Sequence, residues 1–303
     1  MISKIRKVPL RLELLSNPLA EIAGPAAGPG VYAPVARPHV SAEVGSYRLR
    51  LAESREDRVS ACRLRFRVFN VELGEGLDSS YESGLDFDRF DPHCEHLIVE
   101  ERSSRRIVGT YRMQTGASAA RHLGYYSEQE FALAPYEPLR AGILELGRAA
   151  VDREHRTAEV LTLLWRGIAQ YAVAMGQRYL LGCSSMNSNN PAEGWQMYSL
   201  LERFRVAPEF ETVPTAAYAC PLEQPCIDPQ DQGAQPSACT EGETLVAPLK
   251  VPRLLKAYLA LGARIAAPPA WDREFRTIDF LTLLDLETLV PAARERFLGP
   301  LTP

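Results

Sequence analysis

The chain lacks a Cys-x-x-Cys pair, an apolar run that could span a bilayer, and an excess of positive charge. Each absence removes a class of function. The six cysteines, Cys62, Cys94, Cys183, Cys220, Cys226 and Cys239, are scattered, and His93, Cys94 and His96 have no second ligand cluster in sequence. No metal site is therefore expected, and reduced thiols are the simple reading. A formal net charge of −4 argues against a nucleic-acid binder, which would usually be basic. Near the N-terminus Leu10, Leu12, Leu14 and Leu15 are interrupted by Arg11 and Glu13, too broken for the apolar core of a secretion signal. The expectation is a cytoplasmic protein. Peripheral contact with the inner face of the cytoplasmic membrane stays open through the leader, where Lys4, Arg6 and Lys7 accompany those leucines.

What remains is an ordinary globular composition, 46% hydrophobic and 24% charged over 303 residues, enough for a large core. Residues 1–44, with Gly24, Pro25, Gly28, Pro29, Gly30, Pro34 and Pro38, read as a flexible leader. Residues 45–303 read as one domain with an insertion at about 208–248, rich in Pro, Gln, Thr and Cys. Residues 47–51 alternate as a first strand, and Ser54 is placed to cap a helix. Val59, Cys62, Phe66, Phe69 and Leu73 give that helix an apolar face, which leaves Arg63, Arg65 and Arg67 on its other faces. Residues 75–92 follow as a long acidic loop. Strands are predicted at 96–100, 107–113, 143–151, 179–183 and 275–286, and helices at about 156–175, 191–205 and 253–261. Strands alternating with helices after an early meander make the class α/β or α+β.

Residues 145–165 have a layout of particular chemical use: a strand, a short polar turn, then an amphipathic helix. Where two strands part their amides are free to bind, and a helix N-terminus attracts phosphate. The turn Val151-Asp152-Arg153-Glu154-His155-Arg156 resembles the acyl-donor loop of the GNAT superfamily. In that superfamily the turn is usually Gly-rich and wraps coenzyme A; here Thr157, Ala158 and Glu159 stand instead. That departure favours an acyl carrier protein thioester, with a single phosphodiester on its phosphopantetheine arm, over acyl-CoA. Arg65, Phe69, Asp88, Asp91, Arg112 and the Glu145/Arg148 pair resemble the framework of acyl-homoserine-lactone synthases. A tryptophan of that family is absent, and Glu75 stands near its place. The closer resemblance is to the bacterial ornithine-acyl carrier protein N-acyltransferases, from about Tyr47 to Phe297. It rests on Cys94-Glu95-His96-Leu97, Tyr126-Ser127-Glu128 with Glu130-Phe131, Leu163-Leu164-Trp165-Arg166-Gly167-Ile168, Gly182-Cys183-Ser184-Ser185, Leu254-Leu255-Lys256-Ala257-Tyr258 and Asp279-Phe280-Leu281.

The resemblance implies a GNAT-like fold, a splayed mixed central sheet flanked by helices with a C-terminal extension. It implies transfer of a fatty acyl or 3-hydroxyacyl group to the α-amine of L-ornithine in ornithine-lipid biosynthesis, with no bound cofactor. For the reaction it points to Glu145 as general base or orienter of the amine, Arg148 holding Glu145 or another carboxylate, Ser185 facing the thioester, and Tyr198 protonating the thiolate. The bland alternatives are a buried ion pair for Glu145, a plain turn for Ser185 and core packing for Tyr198. Asp88 and Asp91 would bind the cationic acceptor or pair with Arg65 and Arg112, with Phe69 beside them; the alternative is a solvated acidic loop. Val151, Arg153, Arg156, Thr157 and Ala158 would hold the donor. Lys250, Arg253 and Lys256 would meet the acidic carrier protein; the alternative is a solvated helix face. Three other functions stay open: acylation of glycine or another amino acid, a homoserine-lactone-type synthase, and an inactive GNAT-fold binding module.

Overall fold

The structure, a computed structural model, describes residues 37–221 and 249–299. Most of the expected leader and of the expected insertion lies outside those residues. Nine strands form one sheet in the order β1-β2-β3-β4-β5-β6-β9-β7, with β8 also paired to β9. The first half runs β1 (Ser41–Val44), β2 (Tyr47–Leu51), α1 (Arg55–Phe66), α2 (Ser80–Ser83), β3 (Glu95–Glu101), β4 (Ile107–Thr115) and α3 (Gly116–Arg121). The second runs β5 (Ile143–Val151), α4 (Ala158–Ala174), β6 (Tyr179–Met186), α5 (Pro191–Leu200), α6 (Arg253–Leu261), β7 (Arg264–Ile265), β8 (Ala270–Asp272), β9 (Thr277–Asp285) and α7 (Pro291–Leu298). Every pairing is antiparallel except β5 with β6.

Alternation explains the layers. In β3, Leu97 and Val99 enter the core under α4, whereas Ile98 points to the opposite face and packs with Ala61, Leu64 and Val68 of α1 and its continuation. The burial of all nine residues of β4 follows from its place between two strands with helices on both faces. Helix α4 turns Val160, Leu163, Leu164, Ile168 and Tyr171 toward the sheet. It can do so closely because residue 167 is glycine: a Cβ there would lie 2.7–2.8 Å from Leu49 and Leu97. Helix α1 begins with a capping box, Ser54 accepting from the Asp57 amide while Asp57 accepts from the Ser54 amide.

Two boundaries differ from expectation. Ser41–Val44 was assigned to the leader, yet it pairs with β2 as the edge of the sheet, so the folded domain begins before residue 45. Its short polar run Ser-Ala-Glu-Val gives little periodicity to read. Residues 208–221, assigned to the insertion, pack on the domain: Pro214 bridges to Phe131 and Ala219 to Ala270. Phe210 and Tyr218 join a core cluster with Phe131, Tyr136 and Leu281.

Candidate active site

Strands β5 and β6 pair only from Ile143 to Glu145 against Tyr179 to Leu181, then part. Two backbone features force the opening. Opposite the single residue Tyr111, β5 carries two residues, Arg148 and Ala149, and Arg148 takes the left-handed conformation at φ 51°. A bulge of this kind bends its strand. On the facing strand Gly182 passes so close to Leu146 that a Cβ would meet its carbonyl oxygen at 2.2 Å. Beyond that contact β5 pairs with β4 alone.

A cavity of about 800 Å³ fills the opening. Its apolar wall includes Leu161, Leu164 and Trp165 of α4, Leu254, Tyr258 and Leu261 of α6, and Phe297 of α7. Tyr111 and Tyr258 join their hydroxyls across that wall. Its polar wall includes Arg112, Tyr126, Ser127, Glu130, Glu145, Arg148, Asp272 and Asp279. Glu145 is the last β5 residue paired with β6 and is 6% exposed. Its carboxylate accepts from the Tyr126 amide at 2.9 Å and the Ser127 amide at 2.8 Å. Burial pushes the Glu145 pKa up, opposed by those amides.

Arg148 does not hold Glu145. It pairs with Asp88 at 2.9 Å and lies 3.6 Å from Asp86, with its guanidinium 4.2 Å from the centre of the Phe275 ring. It belongs to a buried lattice of three arginines and three aspartates. Arg65, with no exposed surface, reaches both oxygens of Asp91 at 2.7 and 2.8 Å and Asp86 at 2.8 Å. Arg112 reaches both oxygens of Asp88 at 2.7 Å and lies 3.5 Å from Asp91. Although burial acts the other way, Arg112 and Arg148 hold the Asp88 carboxyl well below the usual carboxylate range. The reading of Asp88 and Asp91 as partners of Arg65 and Arg112 therefore holds, and the solvated loop does not. The oxygens of both aspartates are taken up by these guanidinium groups.

The remaining candidates divide. Phe69, Ser185, Val151, Arg156, Ala158 and Arg253 line the cavity. Thr157 caps α4 by accepting from the Val160 amide, and Arg156 forms two bonds to Glu72 at 2.6 and 2.7 Å. Arg153 is exposed and not on the cavity wall. Lys250, Arg253 and Lys256 are exposed, and Arg253 alone of the three borders the cavity. Tyr198 packs against a core cluster, the alternative reading for it, facing Trp195 and the Arg205 guanidinium beside a separate groove lined by Glu211 and Pro268. It is not on the wall that Glu145 shares.

Sequence reasoning missed one feature of the same cavity. Glu130, Asp272 and Asp279 bring carboxylate oxygens within 4.8 Å of one another. They are 1%, 2% and 4% exposed, and none is ion-paired among the described residues. Glu130 and Asp279 stood in the motifs that carry the resemblance, and Asp279 interrupts an apolar strand between Ile278 and Phe280. An acid in that setting was the available signal.

Residues 64–166 match the family described as the acetyltransferase (GNAT) domain. The chain is 30% identical over 256 residues to L-ornithine N(alpha)-acyltransferase of Rhodobacter capsulatus, covering 82% of this chain and 94% of that protein. The chain belongs to that family. The enzyme is thus an acyltransferase with a GNAT fold, as the strand-turn-helix at Glu145 implied. The Rhizobium meliloti member is 32% identical over 256 residues, covering 82% of each chain. Among solved structures, the acyl-homoserine-lactone synthase LasI matches with a TM-score of 0.45 and 11% identity, covering 86% of this chain and 98% of that one. Among the described residues no helix is long and apolar enough to cross a membrane.

Proposed function

We propose that this enzyme forms an amide between a fatty acyl or 3-hydroxyacyl group, carried as a thioester on acyl carrier protein, and the α-amine of L-ornithine. The product is a lyso-ornithine lipid. The observation that carries this reading is one cavity with two kinds of wall, apolar along α4, α6 and α7 and acidic around Glu130, with Glu145 on it. The family members' name supplies the acceptor.

In this mechanism the pantetheine arm lies in the gap between β5 and β6, and the acyl chain lies along the apolar wall. The uncharged α-amine attacks the thioester carbon, a C–N bond forms and the C–S bond breaks. The nitrogen's proton passes through water to Glu145 and returns by the same route to the departing thiolate, which leaves as the free thiol. Amides on the unpaired edge of β5 are suited to bind the oxyanion as charge develops. Arg148 lies on the polar wall with its guanidinium already paired to Asp88. The glycine-free turn before α4, and Arg253 beside the cavity with Lys250 and Lys256 exposed nearby, support a carrier-protein donor. The leader's basic and leucine-rich residues support peripheral contact with an anionic bilayer.

The test is expression in a host without ornithine lipids, followed by lipid mass spectrometry, with the purified enzyme assayed on acyl carrier protein and coenzyme A thioesters. New acylated ornithine made from the carrier-protein thioester is expected. Acylated glycine, no acylated amine, or equal use of acyl-CoA would count against the proposal.

A further inference from the structure

We propose that Glu130, Asp272 and Asp279 form the seat for the side-chain ammonium of the acceptor, so that this cluster restricts the enzyme to diamino acids. The inference rests on the acyl-transfer reading above and assigns the acceptor's second charge to residues that reading does not use. The three acids come from separate elements: Glu130 follows the turn Tyr126–Gln129, Asp272 ends β8, and Asp279 lies in β9. Three carboxyl groups brought together in the interior must be neutralised by shared protons or by a cation, because burying unpaired like charges is strongly unfavourable.

Four observations identify the counterpart as a cation from outside. Both oxygens of Glu130, one of Asp279 and the hydroxyl of the neighbouring Thr277 are buried without a hydrogen-bond partner among the described residues. Glu130, Asp272, Thr277 and Asp279 all line the cavity that Glu145 lines. The acids expected to bind the acceptor, Asp88 and Asp91, are neutralised by Arg65, Arg112 and Arg148. Glu75, on the same wall, adds a fourth carboxylate, raised to about 7 by burial and by the charge of Asp279.

The chemistry favours a primary ammonium. It is a compact point charge with three donors, which three converging carboxylates can accept. Asp272 is fixed by the amides of Glu274 and Phe275, both at 2.9 Å from its Oδ1, so part of its capacity is already committed. A hard divalent ion could use the same carboxylates with water in its remaining positions, and the experiment below separates the two occupants. The seat is also tied to the reaction. Ser127, whose amide binds Glu145, accepts at its carbonyl from the Glu130 amide at 3.2 Å. One short turn thus positions both the base and the first acid of the seat, for two amines three methylenes apart on one acceptor.

The experiment compares L-ornithine with L-norvaline, the same skeleton without the side-chain amine, using the full chain and an acyl carrier protein thioester. The wild type is expected to favour ornithine in kcat/KM by at least about 100-fold. In Glu130→Gln and Asp279→Asn that ratio is expected to fall below about 10-fold, chiefly through a higher KM for ornithine. Melting temperatures identify any variant that fails to fold, and calorimetric binding of the two amino acids reads the seat without turnover. Folded variants that keep the wild-type ratio in both turnover and binding would overturn the proposal. So would activity lost with EDTA and restored by magnesium alone, which would make the cluster a metal site. A wild type that binds ornithine over norvaline yet transfers no acyl group would sink the acyl-transfer reading and leave the seat standing.

Discussion

Two buried groups of acids share this interior and obey opposite rules. Asp86, Asp88 and Asp91 are matched by Arg65, Arg112 and Arg148, a lattice in which opposite charges meet at 2.7–3.6 Å. Glu130, Asp272 and Asp279 are equally buried and have no arginine or lysine paired to them among the described residues. The first group joins the acidic loop to α1 and to strands β4 and β5. In the second group only Asp272 holds backbone, accepting from the Glu274 and Phe275 amides. Burial with Asp272 nearby raises Asp279 to about 6, and burial with Asp279 and Asp272 raises Glu130 well above its ordinary value. Both groups are carboxylates in the interior; the presence or absence of a cationic partner separates the scaffold from the proposed seat.

The largest expected effect breaks the matched lattice. Arg65→Ala leaves Asp86 and Asp91 buried without their cation and should destabilise the fold by about 3–5 kcal/mol. Urea unfolding measures this, and a loss under about 1 kcal/mol would show that the lattice is not structural. Next, Glu145→Gln should lower kcat by about 100-fold or more with little change in melting temperature. Because burial raises the Glu145 pKa, wild-type kcat should climb with pH through a value above the usual carboxylate range, and the variant should lose that limb. A variant with full activity would remove Glu145 from the reaction.

The unmatched group should respond in the reverse direction to the lattice. Asp279 is protonated in both folded and unfolded states below about pH 4, so there its burial costs no charge. Between the unfolded value of 3.8 and the folded value of about 6 the wild type loses stability as pH rises. Asp279→Asn should therefore be more stable than wild type at pH 8, by on the order of 1–2 kcal/mol, and equal to it at pH 3.5. Matched urea melts at the two pH values decide the sign. A variant less stable at pH 8 would mean that the carboxylate has an internal partner. The smallest expected effect is at the surface: Lys256→Glu should raise KM for the acyl carrier protein a few fold, about 3-fold at low salt, and leave kcat unchanged. Salt-independent KM values would remove the docking role.

The sequence alone carried the outline well. Strand β5 and helix α6 fall at their expected limits, since a continuous apolar run and a 3.6-residue period are local signals. Helix α4 does so within two residues. Arg65 shows where local reading stops. Its neighbours placed it on a polar face of α1, but it is wholly buried because residues 86–91 fold over it with their aspartates. The unmatched cluster was less legible still. Glu130 and Asp279 are separated by most of the domain, and β9 joins them only after the sheet has formed. Tyr198 was illegible for a related reason: local sequence does not say that α5 stays off the wall that Glu145 shares.

The near-contact between Gly182 and the Leu146 carbonyl has a further consequence. Because the strands separate at a fixed residue, whatever linear arm enters between them meets an end stop there. Glu145 is the residue immediately behind that stop. For the proposed pantetheine arm the backbone would act as a depth gauge, setting how far a carried group travels before its reactive carbon comes to rest, and a side chain at position 182 would move the zero of that gauge.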